Sequence, residues 1–218
     1  MNALDQFNRL FAQCPLIAIL RGVRPDEVEA IGEALVEGGV RIIEVPLNSP
    51  DPLDNISRLS ARFGGRASIG AGTVMTVGEV DSVHAAGGRL IVSPSTNAAV
   101  IAATIAAGMV SCPGYMTPTE AFAAIDAGAH ALKLFPAEAA SPAVVRAQRA
   151  VLPSDMRIIV FGSVRPDTMA RWIDAGANGF GIGSGVYRPG QGPSETLPIS
   201  AAIGVQYPAR TEAQASVL

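Results

Sequence analysis

RPDEVEAIGEALVEGGVRIIEVP, residues 24–46, is the stretch that decides the fold. Val28, Ile31, Leu35 and Val36 recur at helical spacing over Asp26 to Glu37, with Pro25 near the start. Gly38-Gly39 then stops the helix, because glycine just past a helix adopts the left-handed conformation that turns the chain back. Ile42-Ile43-Glu44-Val45-Pro46 follows as a short β-rich run with one acid inside it. A helix, a glycine turn and a buried strand make one unit of an α/β fold.

The unit repeats along the chain. β-rich runs begin at Leu16 (LIAIL), Ile42 (IIEV), Ala67 (ASIGAG), Leu90 (LIVS), Val110 (VSCP), Ala131 (ALKLF), Ile158 (IIVF) and Gly179 (GFGIG), 20 to 27 residues apart. Each interval holds one strand, two short loops and a helix of about ten residues. Gly-Gly or Ala-Gly pairs at 38–39, 87–88, 107–108, 127–128 and 175–176 end helices shortly before strands, and Thr117-Pro118-Thr119-Glu120 opens one. Eight such units predict a single-domain (β/α)8 TIM barrel over residues 1–218, with its site at the C-terminal ends of the strands. The competing topology, an open doubly wound sheet, lacks the G-x-G-x-x-G turn after its first strand. Residues 1–14 read as an N-terminal extension or helix, and about 208–218 as a loose tail.

Composition narrows the class. Apolar residues make up 49% of the 218, charged residues 16%, and the net charge is −3. A dense aliphatic core with a modest acidic balance argues against nucleic-acid binding. Cys14 and Cys112, with the distant His84 and His130, form no metal-ligand spacing and read as buried thiols, so neither metal nor cofactor is expected. The N-terminus lacks a signal-type apolar segment, and the longest apolar stretch, Ala98 to Val110, is too short to span a bilayer. A cytoplasmic protein with no membrane partner is expected.

Positive charge is written almost wholly in arginine: fifteen arginines stand beside one lysine, Lys133, in the apolar run ALKLFP (131–136). An amine can lose its proton when desolvated and attack a carbonyl, whereas a guanidinium cannot. Glu44 is the matching acid on the second strand. Burial lowers a lysine pKa and raises a glutamate pKa, bringing both toward neutrality as nucleophile and general acid/base. The alternative is a Glu44–Lys133 salt bridge inside the barrel. Further polar positions fall at strand ends: Arg21, Thr73, Pro94, Gly162-Ser163 and Gly183-Ser184. Gly-Ser turns after the last two strands expose backbone N–H groups where TIM barrels often hold phosphate. Arg21 either clamps a carboxylate, assisted by the Thr73 hydroxyl, or forms a rim salt bridge with Glu44. Both histidines read as structural.

PLIAILRG (15–22), GGVRIIEVPLNSP (38–50), IGAGTV (69–74), ALKLFPAE (131–138) and GIGSGVYRPGQ (181–191) together resemble the bacterial class I aldolases that cleave 2-keto-3-deoxy-6-phospho sugar acids. ILRG, EVPLNSP and the GS-x-x-YR-x-GQ ending look like the galactonate branch of that family. The resemblance implies a metal-independent lyase, usually a homotrimer, that uses Lys133 as Schiff-base lysine and Glu44 for proton transfer. It places substrate carboxylate and phosphate contacts among Arg21, Thr73, Gly162, Ser163, Gly183 and Ser184. The implied substrate is 2-dehydro-3-deoxy-6-phospho-D-galactonate, cleaved to pyruvate and D-glyceraldehyde 3-phosphate. Alternatives are the gluconate epimer, both epimers, or a non-catalytic phospho-sugar-binding barrel. Asn48 stands where the gluconate branch has an arginine. The chain departs from the family's pattern in two places: Gly162-Ser163 replaces Gly-Gly, and Phe161 is bulkier than usual.

Overall fold

The strands curl into a ring of parallel neighbours. A computed structural model describes residues 1–198, so the predicted tail at 208–218 lies outside the described residues. The strands are β1 (Leu16–Ile19), β2 (Ile42–Pro46), β3 (Ser68–Gly72), β4 (Leu90–Val92), β5 (Val110–Cys112), β6 (Gly114–Tyr115), β7 (Ala131–Leu134), β8 (Arg157–Phe161) and β9 (Gly179–Ile182). Their order is β5-β4-β3-β2-β1-β9-β8-β7-β6, every pair parallel.

The eight predicted strands become nine because the fifth is cut at Pro113. Its first piece pairs with β4 and its second with β7. Proline has no N–H to give a ladder, but its carbonyl still accepts from Lys133 N–H at 2.9 Å. His130 N–H reaches the Ser111 carbonyl at 3.0 Å, so the ring closes through this broken strand.

The helices around the strands are α1 (Ala3–Gln13), α2 (Val28–Glu37), α3 (Pro52–Phe63), α4 (Val77–Ala85), α5 (Ala98–Ala106), α6 (Pro118–Asp126), α7 (Pro142–Arg149) and α8 (Pro166–Asp174), with further helical residues at 193–198. The predicted helix at Asp26 begins two residues later, at Val28, because Pro25 to Glu27 form a turn in which Arg24 N–H donates to Glu27 Oε1. Every predicted glycine stop has a left-handed residue: Gly39, Gly87, Gly108, Gly128 and Gly176 have φ between 69° and 104°. None of the described helices is long and apolar enough to cross a membrane.

The core has two parts, set by strand alternation. Leu16, Ala18, Ile43, Val45, Leu132, Leu134, Ile158 and Val160 face the helices. Ile17, Ile42, Leu90, Val110, Ala131 and Ile159 form a layer inside the barrel, joined by Phe7, Leu10 and Phe11 of α1. The N-terminal segment is thus a helix whose apolar face stops one end of the barrel. Asn2 caps it, its side chain accepting from Asp5 N–H at 2.8 Å.

Candidate active site

Two residues farther along each strand is the next inward position. That arithmetic takes Ile42 to Glu44, Val110 to Cys112, Ala131 to Lys133 and Ile159 to Phe161, so the barrel's one acid and one amine point into the same interior. Glu44 is 2% exposed and Lys133 7%. Neither is paired: none of the ion pairs among the described residues joins Glu44 to Lys133 or to Arg21. Glu44 Oε2 has no hydrogen-bond partner. A structural salt bridge would have left neither group unsatisfied, so the ion-pair alternative does not hold here.

Electrostatics follow from that isolation. Burial pushes the Glu44 carboxyl up to about 7, against the opposing pull of Lys133 and Arg21. The same burial pushes the Lys133 amine down, partly offset by the attraction of Glu44. Lys133 Nζ lies 4.7 Å from the Phe135 ring centroid and 4.6 Å from that of Phe161, so two aromatic faces flank the nitrogen.

Two glycines make this interior possible. A Cβ on Gly72 of β3 would fall on the Glu44 carboxylate, and one on Gly181 of β9 would fall on the Phe161 ring. Glycine at these inward positions is therefore the space that the acid and the aromatic occupy. Thr73, the residue after Gly72, has φ of 62°, an uncommon conformation for a β-branched residue.

Arg21, Glu44, Thr73, Pro94, Lys133, Gly162, Ser163, Gly183 and Ser184 all line one cavity of about 790 Å³ at the C-terminal ends of the strands. Arg21 does not bridge to Glu44; its guanidinium donates to Asn48 Oδ1 at 2.7 Å. The turn after β9 is held to the turn after β1 by Tyr187, whose hydroxyl donates to Glu27 Oε1 at 2.8 Å. Cys14 and Cys112 are buried and unbridged. His130 Nδ1 accepts from Ser111 N–H at 3.1 Å, away from the cavity. Among the described residues no group of three or more His, Cys, Asp or Glu is placed to hold a metal ion.

Sequence reasoning missed Glu138. Its carboxylate accepts from both the backbone N–H and the hydroxyl of Ser163. The donors expected to be open for phosphate are occupied by an internal anion. The available signal was position: Glu138 ends the ALKLFPAE segment, one turn beyond the strand that carries Lys133. Phe135, Arg165 and Arg188 also line the cavity, none with a role legible in the sequence pattern.

A parallel barrel with an unpaired amine and an unpaired acid buried at its strand ends has the parts that imine chemistry on a carbonyl needs, as in aldolases of class I. The family model described as KDPG and KHG aldolase matches residues 8–191, and the chain belongs to that family. It is 45% identical over 193 residues to the 2-dehydro-3-deoxy-6-phosphogalactonate aldolase of Escherichia coli strain K12, covering 88% of this chain and 94% of the relative. The native KDPGal structure superposes with a TM-score of 0.87 at 44% identity, over 94% of this chain and 97% of the other. The KDPG aldolase of Legionella pneumophila, with pyruvate captured as a covalent carbinolamine, gives 0.81 at 25% identity, over 89% of this chain and 96% of the other.

Proposed function

We propose that this aldolase cleaves 2-dehydro-3-deoxy-6-phosphogalactonate to pyruvate and D-glyceraldehyde 3-phosphate, with Lys133 as nucleophile and Glu44 as proton carrier. The observation that carries the reading is the unpaired, buried Lys133 sharing one cavity with unpaired Glu44. The neutral amine adds to the C2 ketone, and loss of water leaves an iminium bonded to Lys133 Nζ. Glu44, through a water, takes the C4 hydroxyl proton. The C3–C4 bond breaks, its electron pair moves to C3 and the iminium to give an enamine, and the aldehyde leaves. The enamine takes a proton at C3, and hydrolysis releases pyruvate and restores the amine. Phe135 and Phe161 flank the nitrogen where the iminium charge resides.

Arg21, set by Asn48 and near Thr73, is assigned to the substrate carboxylate. The turns at Gly162-Ser163 and Gly183-Ser184 are assigned to the phosphate, and Pro94 to the cavity wall. The galactonate epimer is preferred because Asn48 occupies the loop where the gluconate-type sequence pattern has an arginine. A homotrimer and a cytoplasmic location complete the reading; self-association is supported by a similar chain within a protein cage designed by fusing symmetric oligomeric domains.

Borohydride reduction in the presence of pyruvate, followed by peptide mass analysis, tests the nucleophile. The label is expected on the peptide containing Lys133, and labelling elsewhere rejects the mechanism. Lys133→Arg should keep the charge and abolish both label and turnover. Pyruvate release from the two epimeric phospho acids tests the substrate, with faster release from the galactonate expected.

A further inference from the structure

The turn after β8 already holds an anion. Ser163 N–H donates to Glu138 Oε1 at 2.8 Å and the Ser163 hydroxyl donates to the same oxygen, while Glu138 Oε2 lies 2.5 Å from where a Cβ on Gly162 would stand. The carboxylate therefore fills the space that glycine leaves and occupies both donors of Ser163. The turn after β9 is different. Its carbonyls are used internally, Gly183 accepting from Val186 and Tyr187 and Ser184 from Arg188. The Ser184 N–H and hydroxyl have no partner among the described residues.

Glu138 is well placed to leave. It is exposed, sits on the short 3-10 turn Ala137–Ala139, and takes part in none of the ion pairs among the described residues. Its bonds to Ser163 are also what hold its carboxyl below the usual range. A phosphate monoester near neutral pH carries roughly −1.5 to −2 charges and seeks the same donors, so the two anions repel and compete.

We infer that Glu138 is a built-in competitor for the phosphate group: it occupies the Gly162-Ser163 cradle of the free enzyme and must swing outward before a phosphorylated substrate engages both turns. It thereby sets how strongly the enzyme selects the phosphoryl group. The inference rests on the assignment of this turn to phosphate made above.

Direct titration with inorganic phosphate tests it, using the intact wild-type protein, Glu138→Gln, Glu138→Ala and Ser163→Ala. Removing the charge should tighten phosphate binding roughly tenfold, the weight of one charge-assisted hydrogen bond released from competition. Ser163→Ala should weaken it. Unchanged or weaker binding in both Glu138 variants overturns the inference and makes Glu138 a brace for the cradle, and so does an absence of phosphate binding in all four proteins. Pyruvate carries no phosphate, so trapping it on Lys133 in the same variants judges the aldolase reading separately. A Glu138 variant that still labels but binds phosphate no better rejects only the competitor role.

Discussion

At the residue scale, Lys133 and Glu44 are informative because each is where its chemistry is costly. An unpaired buried ion is tolerated only if it neutralises or is used. The carboxyl of Glu44 sits near 7 through desolvation, which sets two expectations. Cleavage needs the ionised form, so turnover should fall as pH drops through about 7, approaching tenfold per unit on the acid side. A flat profile between pH 5 and 8 would remove Glu44 from proton transfer. For stability, the folded state holds its proton longer than the unfolded chain does, so stability falls as pH rises from 4.5 to about 7. Glu44→Gln lacks that loss. It should be inactive yet gain about 3 kcal/mol over wild type at pH 8 and little at pH 4, read from denaturant midpoints. A variant equally destabilised at both pH values would show that the carboxyl is structural.

At the scale of elements, the pattern of helix, glycine stop and strand was legible throughout residues 24–46 and in its repeats. The periods 3.6 and 2 and the left-handed glycines are local properties. The cut at Pro113 followed from a residue in plain view, yet its effect depended on which neighbours each half would meet. The inward glycines were visible as letters but not as space. Gly72 reads only as the last letter of the strand run ASIGAG until Glu44 from the adjacent strand is seen occupying the position of its missing Cβ. Gly72→Ala should therefore cost at least roughly a hundredfold in kcat while the protein still folds, because a small misplacement of a catalytic group weighs that much. Circular dichroism and single-turnover kinetics together check it, and near-normal turnover would mean that Glu44 has slack. Gly181 stands in the same relation to Phe161.

At the scale of the whole molecule, α1 shows how a segment read only as an extension or helix becomes part of the core. Phe7 and Leu10 are fully buried against the barrel's inner layer. Leu10→Ala should cost about 2–5 kcal/mol, with the active cavity at the opposite end left intact. A loss under 1 kcal/mol in chemical denaturation would mean that the helix merely covers the barrel. The sequence by itself determined the periodic α/β architecture, the glycine stops, and the identity of the two ionisable groups that burial would perturb. Each of those depends on residues near in the chain or on a single side chain's chemistry. Only the tertiary structure decided that Glu44 and Lys133 stay unpaired, that Arg21 turns to Asn48, and that Glu138 fills the cradle at Ser163. Such relations, made or withheld, hold between residues 25 to 89 positions apart, and their distances are set by barrel closure, which no local pattern encodes.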